Sequence, residues 1–298
     1  QIFGSSPNPF NISNPLRTRD HVLMTRVGVI KVYEGSLLWV GAKEGIFLGT
    51  RPRWRERSLH EMSTGNSGNV AFYSSLSQWP MILGMRGDLM RFDPESMGWN
   101  VLVSLPEEPG DQPGISAPQG GLCWIRRGRE MFEVDLEERQ LIRRVMLPEG
   151  FEFSDMLFHA DGTLYIVGIS GGFYLSDGEW VSTFSRQSIE SIAMTKDRDI
   201  LLALKNDIQR WRNRELLYTR SGENRNPSHP FTFVSESRKG GIFAGTRGLG
   251  LKVFDGNEEG TVDVRNSLLS SRILSAYESD NETLWIGFDN LGVAVSRP

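Results

Sequence analysis

"NETLWIGFDNLGVAV", Asn281 to Val295, and "GSLLWVGAKEGIFL", Gly35 to Leu48, stand near opposite ends of the chain and share one pattern. Each has Leu-Trp, an aliphatic residue, Gly, a short polar turn and a second apolar run. Taking the Trp as an anchor, a small residue two positions on and an apolar residue seven positions on recur along the chain. The anchors are Trp39, Ile82, Trp124, Ile166, Leu201, Phe243 and Trp285, spaced by 43, 42, 42, 35, 42 and 42 residues. Two after each anchor come Gly41, Gly84, Arg126, Gly168, Ala203, Gly245 and Gly287, so only Arg126 departs. The second apolar residue is Ile46, Leu89, Met131, Phe173 and Ile208, and, with one residue added to the turn, Leu251 and Val293.

Within each repeat, runs of β-branched and aromatic residues are separated by Gly, Asp, Asn and Ser. The second repeat shows four strands: "NVAFY" (Asn69–Tyr73), "MILGM" (Met81–Met85), "LMRFD" (Leu89–Asp93) and "WNVLVSL" (Trp99–Leu105). No long amphipathic helix stands out, and "LEERQLIRR" (Leu136–Arg144) reads as a charged hairpin end. Four strands per period near 42 predict an all-β chain, a seven-bladed β-propeller with four-stranded antiparallel blades. The seventh repeat ends one strand short. The segment 1–26 before the first repeat is expected to supply that strand, from either "PFNIS" (Pro9–Ser13) or "HVLMT" (His21–Thr25). The expected organisation is therefore a single domain over residues 1–298, whose closure removes a sheet edge.

Composition narrows the function classes. The 298 residues are 39% hydrophobic and 23% charged, ordinary for a globular chain with a core. No run approaches a membrane span. The formal charge of −4 gives no general bias toward nucleic acid or anionic lipid. Cys123 stands alone, which excludes an internal disulfide, and His21, His60, His159 and His229 show no metal-ligand spacing. Nothing calls for a metal or cofactor. No charged-then-apolar signal segment precedes the first residues, so either a cytosolic chain or one whose leader has been removed is expected, and the absence of a starting Met favours a processed or trimmed chain.

"NSLLSSRILSAYESDNETLWIGFDNLGVAV" (Asn266–Val295) resembles the two-component-regulator propeller repeat, with its Asn-Ser-Leu-Leu-Ser start, acidic turn and Leu-Trp-Ile-Gly. "GGIFAGTRGLGLKVFD" (Gly240–Asp255) and "LLWVGAKEGIFL" (Leu37–Leu48) fit as well, while repeats two to five match only in spacing and pattern. The resemblance implies an extracytoplasmic sensor domain of a bacterial two-component system, in a periplasmic or surface setting, with glycans among the ligands recognised. The kinase and membrane span of such receptors are absent from this sequence.

In a propeller the turn after the second strand of each blade lies near the mouth of the central channel. Four residues past the anchors, that ring comprises Lys43, Arg86, Gly128, Ser170, Lys205, Arg247 and Asp289, with Arg126, Arg127 and Arg129 around Gly128. Five of these seven positions carry Lys or Arg at or beside them, in an acidic chain. Cations gathered at a concave mouth attract anions, and arginine suits carboxylate, sulfate or phosphate. The plain alternative is a solvated rim neutralised by Glu44, Asp88, Glu130 and Asp207.

Other features read as structure. Trp39, Trp124 and Trp285 are placed to pack between blades. "RPRWRERSLH" (Arg51–His60) fits a charged outer strand or loop of the first blade, without the second basic-aromatic stretch that nucleic acid binding would want. "HADGT" (His159–Thr163) and "LSDGEW" (Leu175–Trp180) fit tight turns better than acid-base chemistry. No nucleophile elbow, phosphate loop or zinc motif occurs. The expected function is a non-enzymatic binding or sensing propeller, taking a saccharide or other small anionic ligand at its basic mouth. A protein-interaction scaffold is the first alternative and a propeller lyase or glycoside hydrolase the second.

Overall fold

The computed structural model describes residues 11–13, 29–33, 37–42, 45–50, 53–57, 71–75, 78–83, 87–93, 98–106, 113–184, 186–221, 229–256, 258–262, 268, 270–278, 284–288 and 293–297. Among them every regular element is a strand. The strands form seven four-stranded sheets: 29–57, 71–104, 114–146, 153–183, 189–221 and 231–262 in chain order, and a seventh of 273–297 joined by Asn11–Ser13. We number the sheets in that order. Neighbouring strands run antiparallel because the turns between them are too short for a crossover. Asp177 and Gly178, both with positive φ (51° and 86°), make such a two-residue turn between Gly171–Ser176 and Glu179–Thr183.

Each repeat anchor falls in the second strand of its sheet, and each second apolar residue in the third. The two marked positions often face one another: Gly41 pairs with Ile46, Arg126 with Met131, Ala203 with Ile208, Gly245 with Leu251 and Gly287 with Val293. The small residue is required by crowding from the first-strand side. A Cβ on Gly168 would lie 1.9 Å from the Glu152 carbonyl oxygen, and one on Gly245 would lie 2.2 Å from the Phe233 ring. Arg126 escapes this limit because its cross-strand partner is Gly114. Its guanidinium then lies 4.6 Å from the centre of the Phe153 ring, in the next sheet.

The N-terminal contribution to the seventh sheet is settled by pairing: Asn11 faces Arg297, Ile12 faces Ser296 and Ser13 faces Val295, antiparallel. The other candidate, His21–Thr25, lies outside the described residues. Arg53–Arg57 forms the outer strand of the first sheet, and the charged run at Leu136–Arg144 is a turn leading into the outer strand Gln140–Met146 of the third.

The chain divides into two compact units, residues 57–189 and residues 1–56 with 190–298. In the first, apolar layers lie between successive sheets. Met81, Leu83, Leu89, Cys123, Phe132 and Val134 join the second to the third. Trp124, Met131, Met156, Phe158 and Ile166 join the third to the fourth. In the other unit, Leu201, Ile208, Val234 and Phe254 fill the layer between fifth and sixth sheets, and Val253, Leu268, Ile286 and Phe288 that between sixth and seventh. No sheet of four strands buries both faces alone, so these layers supply the main apolar driving force.

Candidate functional site

The turns after the second strands of the fifth and sixth sheets lie side by side in one unit, and a single dipeptide links them. The backbone N–H of Phe231 donates to the Lys205 carbonyl at 3.2 Å, and the Pro230 carbonyl accepts from the backbone N–H of Arg247 at 3.1 Å. Lys205 and Arg247, both exposed, therefore emerge on either side of the strand that begins the sixth sheet. Between the turns is a small cleft walled by Lys205, Asn206, His229, Phe231, Thr246 and Lys252.

Local chemistry shapes its walls. The Thr246 hydroxyl donates to the Gly250 carbonyl at 2.8 Å and accepts the Leu249 N–H at 2.8 Å, which pins the Thr246–Gly250 turn. The His229 imidazole lies against Gly248, where an added Cβ would fall 2.3 Å from Nδ1. That Nδ1 is shielded from solvent and has no hydrogen-bond partner among the described residues. Lys252 is 5% exposed, and its ammonium donates to Glu259 at 2.5 Å and to the Thr261 hydroxyl at 2.8 Å. Its charge is thus met inside the protein, and Lys205 is the exposed cation of the cleft wall, with Arg247 exposed in the adjoining turn.

The other expected rim residues differ in exposure. Arg126 is half-buried against Phe153, and Arg127 is 2% exposed, packed beside Gly87. Arg129 is exposed in the turn after it and donates to the Pro148 carbonyl at 3.2 Å. Ser170 is exposed in the equivalent turn of the fourth sheet. Lys43, Arg86 and Asp289 lie outside the described residues. His229, Thr246 and Lys252 carry no motif of their own in the sequence. The one local sign of them is the Gly-rich "GTRGLG" (Gly245–Gly250), whose glycines admit the imidazole.

A second charged cluster occupies the opposite end of the fifth sheet. Asp199, fully buried, accepts from Arg210 Nε at 2.6 Å and from Arg212 Nε and Nη2 at 2.6 and 2.9 Å. Hydrogen bonding from Arg212, reinforced by Arg210, outweighs burial and holds the Asp199 carboxyl below the usual carboxylate range. Nearby turns carry backbone strain. Arg198 has φ 63° and Arg214 has φ 67°, a left-handed conformation that costs a non-glycine residue about 1 kcal/mol or more.

The two stretches weighed for acid-base chemistry are turns. Thr163 N–H donates to Asp161 at 2.9 Å, Gly162 has φ 86°, and the His159 Nδ1 lies 2.9 Å from Asp161. Burial tends to raise the Asp161 carboxyl, but hydrogen bonds from Thr163 and His159 bring it below its ordinary value. Cys123 is fully buried, and burial pushes its thiol up to about 12. Among the described residues no three His, Cys, Asp or Glu side chains are placed to hold a metal ion, and no helix is long and apolar enough to cross a membrane.

No family model matches the sequence, and no curated protein matches it. Solved structures match its fold. The extracellular domain of the hybrid two component system BT3049 from B. thetaiotaomicron is 17% identical with a TM-score of 0.73, over 92% of this chain and 40% of that one. The corresponding domain of BT4673 from the same organism is 15% identical with a TM-score of 0.70, over 92% and 38%. A catalytically inactive virginiamycin B lyase from Staphylococcus aureus with quinupristin is 14% identical with a TM-score of 0.75, over 97% and 99%. The chain thus spans about two fifths of the length of the extracellular sensor domains it resembles and nearly the whole of the lyase. At these identities the likeness is one of fold: an all-β arrangement of four-stranded sheets shared with extracellular sensor domains and a lyase.

Proposed function

We propose that the seven sheets are the blades of one propeller domain spanning residues 1–298, and that this domain is a ligand-binding sensor in a periplasmic or cell-surface setting. Its ligand is a small anion, an acidic saccharide in the first instance, received at the turns that carry Lys205 and Arg247. The observation that supports this most directly is the pairing of those two exposed cations across the Pro230–Phe231 dipeptide, beside a cleft whose own buried ammonium is already neutralised. An anion there meets two exposed cations that carry no ion pair among the described residues, with the Asn206 amide in the cleft wall. Arg129 and Ser170 belong to the same reading as exposed turn residues of the third and fourth sheets.

The test is a glycan array spanning carboxylated, sulfated and neutral oligosaccharides, followed by thermal shift with each hit. Binding to the native state raises the melting temperature with ligand concentration. Lys205→Glu with Arg247→Glu is expected to remove the shift for acidic ligands without lowering the ligand-free melting temperature. A shift that survives the double reversal, or binding of neutral sugars alone, defeats the assignment.

The near full-length likeness to virginiamycin B lyase supports an enzyme as a second reading, with His229 as the acid-base group available in the cleft. Incubation with quinupristin followed by mass analysis separates the two. Unchanged quinupristin favours binding without turnover, and a changed covalent structure that requires His229 favours the lyase.

A further inference from the structure

A strand at the margin of a sheet presents backbone N–H and C=O groups to whatever comes alongside, and its side chains decide what that is. The fourth strands of the second to sixth sheets are Gly98–Ser104, Gln140–Met146, Glu179–Thr183, Glu215–Ser221 and Glu258–Val262. Of these only Glu215–Ser221 carries both a carboxylate and a guanidinium, Glu215 at one end and Arg220 near the other. Between them Leu216 and Leu217 are each 47% exposed, and Thr219 is exposed. Gln140–Met146 also exposes Leu141, Ile142 and Met146. Its two arginines, however, are met across the hairpin by Glu133 and Glu130, and it has no carboxylate of its own.

Neither charge is answered within the chain. Glu215 is exposed and has no ion pair among the described residues. Its cross-strand neighbour Arg212 is turned to Asp199 instead. Arg220 donates to the Gly256 carbonyl and lies over the Tyr218 and Phe254 rings, but meets no carboxylate among the described residues.

The register of the strand makes its margin complementary to itself. Glu215 pairs with Arg212, Leu216 with Trp211, Tyr218 with Arg210, Thr219 with Gln209 and Arg220 with Ile208, so Leu217 is the extra residue of a bulge. In a regular strand the backbone groups point outward at every second residue, so two copies related by a twofold axis match residues an even number apart. The extra residue shifts that alternation. Glu215, Tyr218 and Arg220 fall in one phase, and Leu216 and Thr219 in the other. Glu215 of one copy then matches Arg220 of another, five positions away, and Leu216 matches Thr219. With the axis between Leu217 and Tyr218, both Glu215–Arg220 pairs form together and Leu217 meets Tyr218. Arg214 falls opposite the uncharged Ser221, so no like charges oppose one another. A bulge breaks the ladder that a regular strand would form here, whereas a second copy carries the same irregularity at the matching place.

We propose that Glu215–Ser221 is the contact of a homodimer, in which the fourth strands of two fifth sheets pair antiparallel about a twofold axis. The contact is isologous, so each Glu215–Arg220 pair occurs twice. It covers Leu216 and Leu217 and supplies partners to the backbone groups of the margin.

Sedimentation equilibrium of the full chain over a concentration series is expected to show monomer and dimer in exchange. Glu215→Arg sets arginine against arginine at both ends of the contact and should weaken dimerisation about tenfold. Glu215 is exposed and unpaired in the single chain, so the melting temperature of dilute protein should not change. A second arm tests the register and leaves both charges in place. Leu216→Cys and Thr219→Cys, made in separate chains and mixed under mild oxidation, should form a disulfide-linked dimer faster than either chain alone. Cys123 is buried and takes no part. A monomer at every concentration, a dimer that Glu215→Arg leaves intact, or cross-linking no faster in the mixture than in the separate chains overturns the proposal.

Discussion

Arg212 grips Asp199 at two points, Nε to one carboxylate oxygen at 2.6 Å and Nη2 to the other at 2.9 Å, while Arg210 holds that second oxygen from the neighbouring side. The carboxylate is fully buried and Arg212 half-exposed, so the aspartate depends on its partners far more than Arg212 depends on it. Replacing Asp199 with Asn keeps the shape but leaves Arg210 facing a neutral amide. The expected loss is about 3 kcal/mol of folding stability, read from urea denaturation at neutral pH.

The same carboxyl titrates lower in the folded chain than in the unfolded one. The stability it supplies is therefore complete above the ordinary carboxylate range and is lost as pH falls through its folded value. Asp161 contributes with the same sign. Stability of the parent chain should fall steeply in acid, and Asp199→Asn should show a shallower acid limb. Parallel acid limbs in the two proteins would contradict the assignment.

Gly245 and Gly168 carry the steric requirement of the repeat. A methyl at either place meets the Phe233 ring at 2.2 Å or the Glu152 carbonyl at 1.9 Å. Gly245→Ala is expected to cost about 2 kcal/mol. Gly168→Ala should cost more, because its obstacle is backbone rather than a ring that can turn. Equal or negligible losses in chemical denaturation would show the sheets to be looser than described.

Cys123 should be inert to thiol reagents while the protein is folded. Its sulfur is fully buried and its thiol pushed up to about 12, so little thiolate forms at neutral pH. One equivalent of thiol should react on unfolding in guanidinium, and reaction at a comparable rate in buffer would refute the burial.

Removing residues 1–13 takes away the strand Asn11–Ser13 and leaves Val293–Arg297 as an open edge. The truncated chain is expected to melt at a lower temperature and to aggregate as it does so, because unpaired backbone groups invite strand addition. Scattering during a thermal ramp reports both. An unaltered midpoint would mean that the three-residue pairing contributes nothing.

The repeat itself was written in local chemistry. An apolar anchor, a small residue and a second apolar residue specify a hairpin wherever they occur, because strand alternation and the room for a Cβ act over a few residues. That is why all seven anchors lie in second strands, and why "HADGT" and "LSDGEW" turn where glycine permits positive φ. Which cations face solvent was decided by tertiary structure. Arg126 and Arg127 are adjacent in sequence, yet one lies under Phe153 and the other beside Gly87, and Lys252 is buried against Glu259. The closing strand followed the same rule, since two N-terminal stretches were equally suited and only pairing with Val295, Ser296 and Arg297 distinguished Asn11–Ser13. Burial and charge pairing depend on residues brought together from other strands and other sheets, and a pattern read along one strand holds no record of that encounter.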